Sequence, residues 1–191
     1  MKHEQLINFL QKYGTVSESE KKNIKNYFTP LQVKKKQILI EKNSPCNKLF
    51  FINSGFLRAF YSNDNGKEIT RMIAWENRFL TNIGSFKGFT ENNETFECLE
   101  NGEILCITRD HFDILMKSSS NLKNIYADIL EMYNALHIKR FEALNTFDLD
   151  KKLVHLKQEF PHLIHKLSDT LLASLLGISR ETYVRNKKVI L

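Results

Sequence analysis

Residues 168–190 read SDTLLASLLGISRETYVRNKKVI. Two short helices joined by a sharp turn are written into this stretch. Ser168 stands where a hydroxyl caps a helix opening at Asp169, and Gly177 supplies the left-handed conformation that ends it. Leu172 and Leu176, one turn apart, are expected to face inward, and Ala173 is small where a second helix must cross closely. Ile178 anchors the turn, Ser179 caps the second helix, and Val184 is expected in the core. This spacing predicts a helix-turn-helix, whose second helix lies in the DNA major groove and offers its first turns to the base edges.

The side chains of the second helix suit that use. Arg180 and Arg185 carry guanidinium forks for guanine O6 and N7 or for phosphate, and Glu181 carries an acceptor for cytosine N4. Ser179, Thr182, Lys187 and Lys188 suit phosphate oxygens, and Ser168 at the head of the first helix completes the expected DNA-binding set. Charge points the same way. The net charge is +6, and residues 151–191 hold eight Lys and Arg against three Asp and Glu, so the basic excess is concentrated in this tail.

Upstream of the motif the texture is different. Leu6, Ile7, Phe9 and Leu10 are at helical spacing, and Ser17 with Glu20 opens a second helix through a capping-box pattern. From Pro30 to about Thr108, short runs rich in Val, Ile, Phe and Tyr alternate with turn signals at residues 43–45, 53–55, 63–66, 92–93 and 101–102. Such spacing predicts a small antiparallel β-roll. Asn65 and Gly66 mark a hairpin between residues 57–61 and 68–73, because both tolerate positive φ.

After Arg109 the pattern turns helical again, with a short helix over residues 110–116 and then a long one. In the long helix Leu122, Ile125, Ile129, Met132, Leu136 and Ala143 recur at steps of three and four or their sums, a coiled-coil-like seam that predicts pairing with a second copy of the chain. Ile138 and Phe141 supply a further apolar face. The organisation expected is α+β: residues 1–118 as a β-roll sensor domain with N-terminal helices, 119–147 as a dimerisation helix and 148–191 as the helix-turn-helix domain, with a short hinge near residues 145–150.

The string from Gly177 to Arg185 resembles the recognition-helix motif of the CRP/FNR (catabolite activator and fumarate-nitrate regulator) superfamily, Ser-Arg-Glu-Thr-x-x-Arg. The segment Asn53–Tyr61, with Gly66 and Glu68 beyond the hairpin, is similar to the family's roll strands. The resemblance covers nearly the whole chain. It implies a cyclic-nucleotide-binding-type roll, a dimer, double-stranded DNA as partner, and Arg180, Glu181 and Arg185 as readers of bases and phosphates; it also admits RNA polymerase as a partner. Two positions depart from the pattern. Asn186 stands where an apolar residue usually packs, and little sequence follows the second helix, so a reduced wing is expected, with residues 160–165 left for a short strand or turn. A sensor or protein-interaction module that has lost DNA binding is the alternative these departures raise.

By the same resemblance a phosphate-binding cassette falls at residues 79–97, but its Gly-Glu pair and its Arg are missing. Glu94 and Glu97 would repel a phosphate unless Lys87 or Arg78 pointed inward, so cyclic AMP is not the expected ligand. A different small effector, or none, is expected, with Phe79, Thr81, Asn82, Gly84, Ser85, Phe86 and Phe89 as the candidate pocket and Trp75 beside them.

Other classes are disfavoured. Cys46, Cys98 and Cys106 lie among apolar neighbours without zinc-site spacing and read as reduced structural thiols. All six histidines fall outside residues 30–108, so the roll has no imidazole to hold a metal as a cupin would. No Gly-x-Ser-x-Gly elbow is present. No enzyme activity and no cofactor are expected. No apolar run reaches the roughly 18 to 20 residues of a membrane span, and the N-terminus lacks a signal-peptide pattern, which makes the cytoplasm the expected location.

Overall fold

The computed structural model describes residues 2–88 and 90–190. Helices α1 (Glu4–Leu10) and α2 (Glu18–Tyr27) lead into eight strands: β1 (Thr29–Val33), β2 (Ile38–Ile40), β3 (Lys48–Ile52), β4 (Leu57–Ser62), β5 (Glu68–Ala74), β6 (Phe79–Leu80), β7 (Thr95–Cys98) and β8 (Gly102–Thr108). A short helix, α3 (Ile83–Phe86), separates β6 from β7. Then come α4 (Arg109–Ser118), the long α5 (Ser120–Thr146), α6 (Leu149–Glu159), α7 (Pro161–Lys166), α8 (Asp169–Leu176) and α9 (Arg180–Asn186). No helix among the described residues is long and apolar enough to cross a membrane.

The strands form two four-stranded antiparallel sheets, β1-β8-β3-β6 and β2-β7-β4-β5. Between them lie Ile52, Leu57, Ala59, Phe96, Cys98 and Ile104, all fully buried. The other face of β3 and β8 is buried as well, because Phe9 of α1 lays its ring 5.6 Å from that of Phe51. Burial on both faces explains why β3 is an unbroken apolar run after Lys48 rather than an alternating one. Cys46, Cys98 and Cys106 are buried free thiols, and burial pushes Cys98 and Cys106 up to about 11.

Turn chemistry sets the corners. At Gly66 the hairpin takes φ +73, and Asn63 holds the loop by accepting from Lys67 N at 2.8 Å through its side chain and from Gly66 N at 2.9 Å through its carbonyl. Asn65 does not adopt positive φ, so Gly66 alone supplies it here. At the opposite end the turns around Gly55 and Gly102 pack back to back: a Cβ on Gly102 would lie 2.2 Å from Ser54 O, which only glycine avoids.

The chain divides into two compact units, one of residues up to Tyr61 with Arg71–Leu130, the other of Ser62–Thr70 with the residues from Glu131 onward. In the first, the Ser17–Glu20 capping box forms as the sequence predicts. Glu20 also accepts from Ser119 and, at 3.0 Å, from Asn121, which fastens α2 to the start of α5. Leu122, Ile125 and Ile129 are buried there; the Ile125 side chain lies so close to Gly14 that a Cβ at that glycine would meet it at 3.2 Å.

The second unit holds the hairpin loop, the C-terminal part of α5 and helices α6 to α9. The break after Thr146 falls inside residues 145–150, and Asp148 caps α6 by accepting from Lys151 N at 2.9 Å. Residues 161–166 are a helix, not the strand or turn expected, because Pro161 occupies its first position, where a fixed φ and a missing N–H cost nothing.

Candidate nucleic-acid interface and sensor pocket

Helices α8 and α9 build the helix-turn-helix from its caps. Ser168 Oγ accepts from Leu171 N at 3.3 Å, and Ser179 Oγ accepts from Thr182 N at 3.1 Å. Gly177 takes φ +69, and the N–H of Ile178 returns to Ala173 O at 3.1 Å, closing the first helix. Leu172, Ala173 and Leu176 are buried, as their spacing predicts.

The second helix is rotated from expectation by one residue. Tyr183, not Val184, is the buried side chain, at 1% exposure against 40%. The cause is phase: Ser179 fixes the start of α9, each residue then advances the face by about 100°, and that start turns position 183 inward. Asn186 is accommodated without an apolar partner, since its amide donates to Thr182 O at 2.8 Å, one turn back.

Arg180, Glu181, Val184 and Arg185 lie on the exposed face with Lys188 beyond them. Glu181 is held below its ordinary value by its own backbone N–H, by Ser179 and by Arg180, so it presents an ionised acceptor. Lys187 is drawn away: its ammonium lies 2.8 Å from Asp169 Oδ2 and ties the end of α9 to the first turn of α8. Thr182 shares its hydroxyl with Ser179 at 3.0 Å.

The residues expected to form one effector pocket are dispersed. Phe79 packs its ring 5.0 Å from Phe51 and 5.8 Å from Phe9, on the side of α1. Thr81 donates to Lys48 O at 2.8 Å, Asn82 caps α3 by accepting from Ser85 N at 3.3 Å, and a Cβ on Gly84 would meet the Thr90 hydroxyl at 2.8 Å. Among the described residues of that set, Ser85 and Phe86 line an open cleft of about 480 Å³, together with residues 43–47, Gly88, residues 90–92 and Arg109. Trp75 stacks under Arg78, and Phe89 lies outside the described residues.

The acidic residues of the cassette have partners that the sequence did not announce. Glu94, 1% exposed, takes the Arg71 fork on both oxygens, Nε on one and a terminal nitrogen at 3.1 Å on the other, and Arg71 also donates to Thr81 O at 3.2 Å. Tyr61 completes the group; burial raises its hydroxyl's pKa, and Glu94, its hydrogen-bond partner, raises it further. Glu97 pairs with Arg58 at 2.6 Å, whose guanidinium lies 4.0 Å from the Phe60 ring centre. The compensating cations are therefore Arg71 and Arg58, not Lys87 or Arg78; Lys87 lies over Phe112 instead. Register is the reason, since β4 and β7 pair Arg58 directly opposite Glu97.

The two antiparallel sheets with the short α3 between β6 and β7 lie in the stretch, residues 30–119, that matches the family model of the cyclic nucleotide-binding domain. The chain has the CRP/FNR fold. A CRP/FNR-family transcriptional regulator from Eubacterium rectale superposes over 91% of this chain and 85% of its own, with TM-score 0.71 and 22% identity. The c-di-GMP-responsive global regulator CLP of Xanthomonas campestris does so over 88% and 89%, with TM-score 0.69 and 17% identity. The catabolite activator protein of Thermus thermophilus covers 91% and 83%, with TM-score 0.58 and 17% identity. No curated protein sequence matches the chain. Within residues 30–119, Glu94 of the segment 79–97 pairs with Arg71 of β5, and no cluster of three His, Cys, Asp or Glu side chains arranged to hold a metal occurs among the described residues.

Proposed function

We propose that the chain is a sequence-specific, DNA-binding transcription regulator of the cytoplasm that works as a homodimer. The observation that carries this reading is the face of α9, where Arg180, Glu181 and Arg185 stand exposed while Tyr183 anchors the helix beneath. A guanidinium pair and an ionised carboxylate on an outward second helix suit the donor and acceptor pattern of the major groove. Two such helices in a dimer would meet DNA about 34 Å apart on an inverted repeat.

The face expected to pair the chains is largely taken up within one chain, since Leu122, Ile125, Ile129 and Ala143 are buried. Leu136, Ile138 and Phe141 stay exposed, the last at 71%, and these supply the apolar surface for a second copy. The roll responds to a small effector other than cyclic AMP or acts without one, because residues 79–97 lack the Gly-Glu pair and the arginine of a phosphate-binding cassette. RNA polymerase is the further partner this role implies.

The test is selection of bound sequences from a random DNA pool at two salt concentrations. An enriched inverted repeat, bound more weakly at higher salt, is expected. Absence of DNA binding under both conditions would instead favour an interaction module.

A further inference from the structure

We propose that Val184 reads a thymine in each half-site by packing against its C5-methyl group. The inference rests on the DNA-binding role proposed above and deepens it by assigning one base. Val184 follows Arg180 by four residues and Glu181 by three, so on a helix that advances about 100° per residue it lies between them on the outward face, one step from Arg185. All four are exposed, whereas the next residue round, Tyr183, is buried. Helix propensity does not favour valine there. Its β-branched side chain is a poorer helix former than alanine or lysine, and 40% of its surface is left in water.

Its neighbours divide the polar work. The guanidinium groups suit guanine or phosphate and the carboxylate suits cytosine, which leaves the isopropyl group as the apolar feature at the middle of the face. Among the four bases, thymine alone offers the major groove an apolar group, its C5-methyl. Contact between the two removes from water apolar surface that free protein and free DNA both expose, and one buried methyl group corresponds to about a fourfold change in affinity.

The experiment uses the full chain and the site enriched from the random pool, with each thymine replaced in turn by deoxyuridine, which lacks only the methyl group. The wild-type protein is expected to lose about fourfold at one position of each half-site, and Val184→Ala to lose that dependence while keeping the penalty for base changes opposite Arg180 and Arg185. Because Val184 is exposed, Val184→Ala should melt at or slightly above the wild-type temperature, which separates a lost contact from a lost fold. A flat uracil scan, or a penalty that persists unchanged in Val184→Ala, overturns the assignment while leaving the regulator reading intact. A pool with no enriched sequence overturns the regulator reading, and the role of Val184 falls with it.

Discussion

The backbone N–H of Thr70 donates to Ser174 Oγ at 2.8 Å, joining the start of β5 to the middle of the first helix of the helix-turn-helix. Ser174 also lies 3.0 Å from the Thr70 hydroxyl and donates to Glu68 O at 3.2 Å. Arg140 of α5 closes the arrangement by donating to Thr70 O at 3.1 Å and Leu175 O at 2.9 Å. Thr70 is only 2% exposed, so its amide has little water to turn to. Ser174→Ala should therefore cost about 1–3 kcal/mol, the penalty of stranding a buried donor. Chemical denaturation gives the loss, and faster hydrogen exchange at the Thr70 amide locates it; an unchanged midpoint would mean that this amide finds another acceptor.

The Arg71–Glu94 pair predicts a sharper effect. Removing Arg71 leaves the buried Glu94 charge unbalanced, so Arg71→Met should cost about 3–5 kcal/mol, and adding Glu94→Ala should restore a large part of it. Denaturation midpoints of the two single variants and the double variant measure the coupling. Calorimetric titration of the wild-type protein with cyclic AMP should show no heat of binding, since residues 79–97 lack the Gly-Glu pair and the arginine that would hold its phosphate.

Acid should reveal Glu20. Its burial works against the charged form, but hydrogen bonds from Ser119, Asn121 and Ser17 outweigh that and hold it at about 2, against an ordinary 4.5. Lowered in the folded state, this group contributes stability that is fully present above about 4.5 and lost as the pH falls through about 2. Glu20→Gln should be less stable than wild type at neutral pH by about 1 kcal/mol or more, since it keeps a capping-box residue but loses the charged acceptor that Ser119 and Asn121 donate to. The gap should narrow between pH 4.5 and 2 when unfolding is followed across that range.

On DNA, Arg180→Ala and Arg185→Ala are expected to cost about 1–3 kcal/mol at the enriched site and to relax the base preference at one position each. Lys188→Ala should weaken binding to all sequences alike and reduce its salt dependence. Gel shifts on the enriched site and on scrambled DNA at two salt concentrations distinguish the two patterns.

Phe141→Asp should shift the protein toward monomer in sedimentation at micromolar concentration, because a carboxylate replaces a ring that is 71% exposed on the free chain. Ile129→Asp should act differently and unfold the first unit, since that side chain is buried within one chain. A Phe141→Asp protein that remains dimeric would move the interface off this face of α5.

What could be read from residues alone was what neighbours in the chain decide. Ser17, Ser168 and Ser179 cap helices, Gly177 ends one, and Gly66 turns the hairpin, because each acts on backbone groups within a few residues of itself. The order of helices and strands followed, and with it the resemblance to the CRP/FNR fold. The choice of Tyr183 over Val184 as the buried residue, the pairing of Arg58 and Arg71 with Glu97 and Glu94, and the burial of Leu122, Ile125 and Ile129 within their own chain were settled only by tertiary structure. Each depends on what lies across a gap from a side chain. Periodicity states that a helix has an apolar face and a strand a charged residue; register and packing, set by segments tens of residues away, choose the partner that covers it.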